Sequence, residues 1–521
     1  MRKSRCVALV SSLSVATGLA ASDLRLANIT DEAGVGGPSE RGKTGGHGVM
    51  FADVDSDGLP DLYVTMIFEE AMPELFYRNL GGGRFREEGA RRDIDDFDGG
   101  SHGACFADLN NDGHYDLFNG ATWHRPEHPA LNQVYRNDGR GFFTDVTEGS
   151  GIPMDRTWPT RAVLAFDMDS DGDLDLFCVT NYLGSDDPPD ERNEVYRNRS
   201  GFQFVSDDAG ALATARCGQG AIDTDFDGDG DVDVIAANRT GGVNLLRNDG
   251  EGNFTLVPPA SLGIRHRAAD GITTADVRNS GRLDLLLTSG NEGHLYSNNG
   301  DGTFTFARSF ADTAGYMGGF ADLNQDGFLD LVFAGDTKVY LNDGHGRFAA
   351  GPAVPVGAIN DPRAIAFADL EGDGDLDFAV GCKRSKNCLI RNDVSAGGGW
   401  LKVRLISPQG QAGAFGAKTS IYGAGTAGRT DERLLGMRES RSNQGYLGQD
   451  DPVLHFGLAD HPAVDVVVRF PDGRRLTQRN VAAGQTILMD GRGRNREANA
   501  NVVPHRQEVR KQPIELPPGA P

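Results

Sequence analysis

The chain has 521 residues, 75 Asp plus Glu against 51 Lys plus Arg, and 71 glycines. A formal charge of −24 argues against wrapping nucleic acid or an anionic membrane, because both require clustered Lys and Arg. The apolar share of 38% suffices for packed cores, and glycine at about twice its usual share points to many turns.

Residues 1–22 read as a signal peptide: Arg2, Lys3 and Arg5 precede a mostly apolar run over 7–19 and small residues at Ala20 and Ala21. Export to a secreted or periplasmic location is expected. No later stretch approaches 18 apolar residues, so no membrane span is expected. Cys6 would leave with the signal. Cys105, Cys178 and Cys217 lie in apolar runs and read as buried thiols. Cys382 and Cys388 flank a short loop and fit either a disulfide or two thiols.

A nine-residue segment then recurs seven times, starting at Asp53, Asp108, Asp167, Asp225, Asp276, Asp322 and Asp369, at intervals of 55, 59, 58, 51, 46 and 47 residues. Apolar stretches flank each copy. A third recurring piece ends at Asn79, Asn137, Asn198, Asn248, Asn298, Asn342 and Asn392, and in most copies a Gly-x-Gly-x-Phe turn opens a fourth strand. Four strands per repeat make a propeller blade, so the fold class is all-β with seven blades over residues 23–396. The seventh copy lacks its fourth strand. Residues 26–30 resemble the missing piece and are expected to complete that blade, because an open ring would leave sheet edges unpaired.

The segment reads Asp-x-Asp/Asn/Glu-x-Asp-Gly-x-x-Asp. Oxygen side chains at positions 1, 3 and 5 converge, glycine permits a sharp turn, and the Asp at position 9 returns, here expected to be bidentate. That density of hard oxygen donors suits calcium. The expected ligands are Asp53, Asp55, Asp57 and Asp61; Asp108, Asn110, Asp112 and Asp116; Asp167, Asp169, Asp171 and Asp175; Asp225, Asp227, Asp229 and Asp233; Asp322, Asn324, Asp326 and Asp330; and Asp369, Glu371, Asp373 and Asp377. The fifth copy has Arg278 and Ser280 where the others have oxygen ligands. It is expected to bind no metal, Arg278 standing in for the ion, which leaves six sites.

These loops with their flanking strands resemble FG-GAP/VCBS repeats, the integrin-α-like propeller, over residues 24–393. The resemblance implies calcium in the blade loops. From Gly397 the repeat stops, and 17 Lys and Arg outnumber 12 Asp and Glu. Short strands over 400–405, 416–422, 453–458, 464–470 and 486–489 suggest a small β-sandwich spanning 397–490. Trp400-Leu401, Gly416-Ala417, Gly445-Tyr446-Leu447, His455-Phe456-Gly457-Leu458 and Pro471-Asp472-Gly473 resemble the ASPIC/UnbV domain, with Phe470 for its usual Trp and Asp472 for its usual Ser. Both parts together match the layout of the cartilage-acidic-protein-like family. Residues 491–521 read as a disordered tail.

Two places could hold a ligand. The connections over 66–74, 121–133 and 181–194 are long, and the second carries Trp123, His124 and Arg125. The residues six positions before each Asp loop are His47, His102, Arg161, Gln219, Asp270, Tyr316 and Arg363. They should encircle the channel mouth, with Trp123 and Trp158 as an aromatic wall. The expected function is an exported, monomeric calcium-binding module for a glycan or protein. The alternative is a cofactor-independent enzyme of natural-product (enediyne- or polyketide-like) biosynthesis, which the ASPIC/UnbV resemblance brings in and which would use His47, His102 and Arg161. A hydrolase or lyase on the same scaffold is the third reading.

Overall fold

The computed structural model describes residues 24–36, 46–67, 73–95, 100–121, 131–154, 159–180, 192–215, 217–238, 242–266, 270–311, 313, 316–335, 338–357, 359–394, 398–430 and 432–493. The signal sequence, most of the tail, and Trp123, His124, Arg125 and Trp158 lie outside them.

Seven antiparallel sheets of four blade strands form a ring. Blade 1 is Val49–Ala52, Asp61–Val64, Leu75–Asn79 and Phe85–Glu87. The others repeat its order. Every second strand starts on the ninth residue of its Asp loop, and every third strand ends on the recurring Asn. The innermost strand of blade 1 is wholly buried, whereas its outermost strand buries only Phe85 and exposes the next two residues, the pattern of a sheet covered on both faces at its centre and wet at its rim. Blade 7 is completed by Leu26–Asn28, which pairs antiparallel with Cys388–Asn392. The first described strand therefore closes the ring, as expected.

The recurring Asn does more than end a strand. Its backbone N–H donates to the position-9 Asp, and its side-chain amide donates both within its blade and to the preceding one. Asn198 Nδ2 reaches Leu174 O in its own blade at 3.2 Å and Leu109 O of blade 2 at 2.8 Å. Asn137, Asn248, Asn298, Asn342 and Asn392 repeat the contact around the ring, and Asn79 closes it onto Leu370 of blade 7 at 2.9 Å. Asn198→Ala would strip a partner from each of two backbone carbonyls. We expect it to lower unfolding stability in urea by about 2–3 kcal/mol.

The C-terminal part is a two-sheet sandwich. Leu454–Ala459, Gly399–Ile406 and Gln485–Asp490 form one sheet; Leu434–Glu439, Lys418–Gly423, Ala463–Arg469 and Arg475–Ala482 form the other. Leu401, Val403, Ile421, Phe456, Val466 and Val468 fill the space between them. Leu434–Glu439 and Arg475–Ala482 were not foreseen from the sequence. The five described cysteines are free thiols, all buried, including Cys382 and Cys388.

The sandwich covers the Asp-loop face of the ring, and residues 439–451 run from it into the central bore. Ala165 N donates to Ser442 Oγ, Ile272 N to Gly445 O, and Phe367 N to Asp450 Oδ1. The Gln449 amide both accepts from Phe106 N and donates to Phe106 O, each at 2.8 Å. Gly448–Gln449 adds a parallel fifth strand to blade 1. The channel is plugged.

Candidate functional site

Each Asp loop is built from its first and last acids. Asp53 accepts N–H groups from Asp57 and Gly58, and Asp108 does the same for Asp112 and Gly113. Position 6 is a left-handed glycine in all seven loops, from Gly58 at φ 95° to Gly374 at φ 95°. Position 4 is left-handed too: Ser56, Asn111, Ser170, Gly228, Asn279, Gln325 and Gly372 all have positive φ. Only glycine and short polar residues hold that conformation cheaply. The position-9 Asp already uses both oxygens in five of the metal-type loops. Asp175, for example, accepts Met168 N and Asn198 N. A metal would share those oxygens with backbone N–H groups, which leaves less room for the bidentate return than the spacing suggested.

The loops nonetheless gather donors that suit a hard cation. Carboxylate oxygens of Asp53, Asp55 and Asp57 lie within 4.8 Å of one another, as do those of Asp167, Asp169 and Asp175 and those of Asp225, Asp227 and Asp229. Asp55 Oδ1, Asp61 Oδ2, Asp167 Oδ1 and Asp169 Oδ1 are buried with no hydrogen-bond partner. Burial, reinforced by neighbouring acids, pushes Asp167 up to about 7, and Asp233 and Asp322 up to about 8. Asp61, Asp116, Asp175, Asp330 and Asp377 are raised well above the usual carboxylate range, again chiefly by burial. Orphaned, mutually repelling oxygens are what a divalent ion would satisfy.

The fifth loop is different in kind. Arg278 Nη2 and Nε contact Asp284 at 2.6 and 3.1 Å, and Nη2 also donates to Asn298 O. A guanidinium fills the space between position 3 and position 9, as the sequence suggested.

Two sets of cations hold the loops from outside. On the rim, the Arg preceding the recurring Asn meets the position-3 acid: Arg78 with Asp55 at 2.6 Å, Arg197 with Asp169 at 2.7 Å, Arg247 with Asp227 at 2.8 Å and Arg391 with Glu371 at 3.8 Å. On the inner side, the sandwich grips the position-1 acids. Lys402 reaches Asp369 at 2.5 Å, Arg404 reaches Asp53 at 2.8 Å, Lys418 reaches Asp225 at 2.7 Å, and Ala412 N donates to Asp108 at 2.8 Å. Three cations of the C-terminal part, Lys402, Arg404 and Lys418, thus meet an acidic face. Two of the residues that carried the C-terminal resemblance, Trp400 and His455, lie at this contact. The Trp400 indole lies against Gly374, where an added Cβ would sit 2.1 Å from its Nε1. The His455 ring meets Gly374 O at 2.8 Å. Burial holds the His455 imidazole down at about 4.

The opposite end of the bore holds the predicted mouth residues. His47 and His102 lie with ring centroids 4.1 Å apart, and His102 and Tyr316 each face the ring of Tyr446, at the tip of the plug, at 6.3 Å. The Arg363 guanidinium stacks 3.7 Å over Tyr316 and pairs with Asp361 at 2.7 Å. Irregular register marks this end of the inner strands at 101–104, 160–162 and 362–364, which span His102, Arg161 and Arg363. Such bulges re-aim side chains. His47 and His102 are buried rather than rim-exposed, and burial, with Arg363 and Arg161 nearby, holds both imidazoles well below their usual range. Tyr446 was read only as part of a motif. Nothing in its spacing signalled that it floors this mouth.

Models of the FG-GAP-like repeat match residues 225–287, 276–333 and 322–380, and the ASPIC and UnbV model matches 407–496. Cartilage acidic protein 1 of Homo sapiens is 28% identical over 297 residues, 55% of this chain and 42% of that protein. The Xenopus tropicalis protein of the same name is 28% identical over 232 residues, 44% of this chain and 33% of that one. The aligned region is less than half the length of these relatives. A solved Agrocybe aegerita lectin, described as recognising non-reducing terminal N-acetylglucosamine, has a TM-score of 0.42 at 18% identity, covering 64% of this chain and 88% of that one. The chain carries FG-GAP-like repeats and an ASPIC and UnbV domain, and is a homologue of cartilage acidic protein 1.

Proposed function

We propose that the chain is an exported, calcium-stabilised propeller that acts as an extracellular or periplasmic binding module, with a glycan or protein as ligand. The observation that carries this reading is the double grip on the Asp loops. Rim arginines and the sandwich engage acids of these loops, while Asp55 Oδ1, Asp61 Oδ2, Asp167 Oδ1 and Asp169 Oδ1 are buried without a partner. Calcium there would be structural. Asp53, Asp55, Asp57 and Asp61, and their counterparts in the loops starting at Asp108, Asp167, Asp225, Asp322 and Asp369, would hold it. With the Asp face covered, the far face is left for a ligand. The basic start and apolar run of residues 1–22 support export, and among the described residues no helix is long and apolar enough to cross a membrane.

Elemental analysis of the dialysed protein should return six calcium ions per chain. Arg278→Asn combined with Ser280→Asp restores the loop pattern in blade 5 and should raise the count to seven. Fewer than four ions in the parent would sink the calcium reading. A screen of immobilised glycans and extracellular proteins, run with and without chelator, tests the binding role. Capture that depends on calcium is expected; turnover of a small molecule without stable capture would favour an enzyme.

A further inference from the structure

The mouth of the bore contains a concentration of unmet hydrogen bonding. His47 Nδ1 and Nε2, His102 Nδ1 and Nε2, Arg363 Nε and Tyr446 Oη are all buried and have no partner. The side chains that carry them come from blades 1, 2 and 7 and from the plug, and the residues are at most 9% exposed. Buried polar atoms are normally satisfied, so a cluster of this size points to something seated among them. Most of these atoms can donate. Each neutral imidazole offers one N–H, the guanidinium offers Nε–H and the phenol its O–H. The charges that act on His47 are Arg363, Arg161 and Lys383, all positive. Asp361 is engaged by Arg363, and Asp270 accepts Gly290 N at 3.0 Å. Convergent donors among positive charges repel a metal cation and attract an oxyanion, whose lone pairs can accept several of them at once.

We propose that the mouth binds an oxyanion, a carboxylate or phosphate group carried by the ligand, between His47, His102, Arg363 and Tyr446. This rests on the binding-module reading and names the chemistry it would recognise. The Arg363–Asp361 pair holds the guanidinium through Nη2 and leaves Nε buried without a partner. Tyr316 is stacked beneath Arg363 and partly exposed.

The test is calorimetric titration of the full calcium-loaded chain with inorganic phosphate, with D-glucuronate, and with neutral D-glucose. One saturable site for phosphate or for glucuronate is expected, and whichever binds identifies the source of the anion. Tyr446→Phe removes one hydroxyl without disturbing the plug, and Arg363→Met removes the guanidinium; each should weaken binding about tenfold or more. Proton and nitrogen resonances of His47 and His102 should move on addition of the anion. The proposal is overturned if neither anion gives saturable heat, if glucose binds equally well, or if both variants bind like the parent. A chain that retains six calcium ions yet ignores both anions rejects this site alone, whereas a chain without calcium rejects the metal reading instead.

Discussion

Chelation should lower the melting temperature of this protein by roughly 15 °C. Six calcium sites, each held at about a hundredfold above its dissociation constant, would contribute about 16 kcal/mol in all. Unfolding roughly 470 residues at about 2.1 cal/mol/K each gives about 1 kcal/mol per degree. Scanning calorimetry with and without chelator measures the difference, and an unchanged value would remove the case for metal. The pH response should also invert. In the metal-free chain, Asp108 is pushed up to about 6, Asp167 to about 7, and Asp233 and Asp322 to about 8, chiefly by burial. Between the ordinary carboxylate range and pH 8 the folded state then binds more protons than the unfolded one. Stability therefore falls as pH rises through that window. The chelated protein should melt higher at pH 5 than at pH 8. With calcium bound the acids are held ionised, and acid should destabilise instead.

The second large effect is expected from a single methyl group in the plug. Gly445 has φ 98°, and an added Cβ would sit 1.4 Å from Ile272 O. Backbone lies on both sides, since Gly220 would likewise meet Gly445 O at 1.9 Å. Gly445→Ala must therefore move the loop away from the inner strands, breaking the Ile272 N–Gly445 O bond and the neighbouring Gln449 pair. We expect a loss of at least about 4 kcal/mol in urea, with new tryptic cleavage at the normally buried Arg441. Gly425→Ala is the control. Its φ of 76° carries the same conformational strain with nothing within 4 Å, so it should cost only about 1–2 kcal/mol. Equal losses in the two variants would mean that the plug contributes little.

The blades were legible because they repeat. Seven copies place Asp61 and its equivalents at strand starts, make the Arg278 exception visible, and expose the missing strand that Leu26–Asn28 supplies. The convergence of His47, His102, Tyr316 and Arg363 was legible for the same reason, since equivalent residues of a ring share an axis. What occurs once was not. Tyr446 and Gln449 have no period, and their partners are scattered over inner strands far away in the chain. Arg475–Ala482 was missed because its exposed face breaks the apolar alternation. The Asn staples fall between these cases: the residues recur seven times, but the carbonyls they reach belong to the neighbouring blade, and no spacing within one repeat reveals that.

The latch made from Leu26–Asn28 and the axle made from residues 439–451 also set an order in time. The strand that finishes blade 7 is synthesised first, and the segment that fills the bore follows all seven blades. Blades 1 to 6 can each zip up as they emerge, but the circle stays open until the seventh arrives, and its hollow stays lined with bare inner strands until the sandwich docks. A half-made ring therefore presents an unpaired edge and a vacant centre for as long as synthesis lasts. That interval is when aggregation threatens this molecule and when a holding chaperone would find its grip.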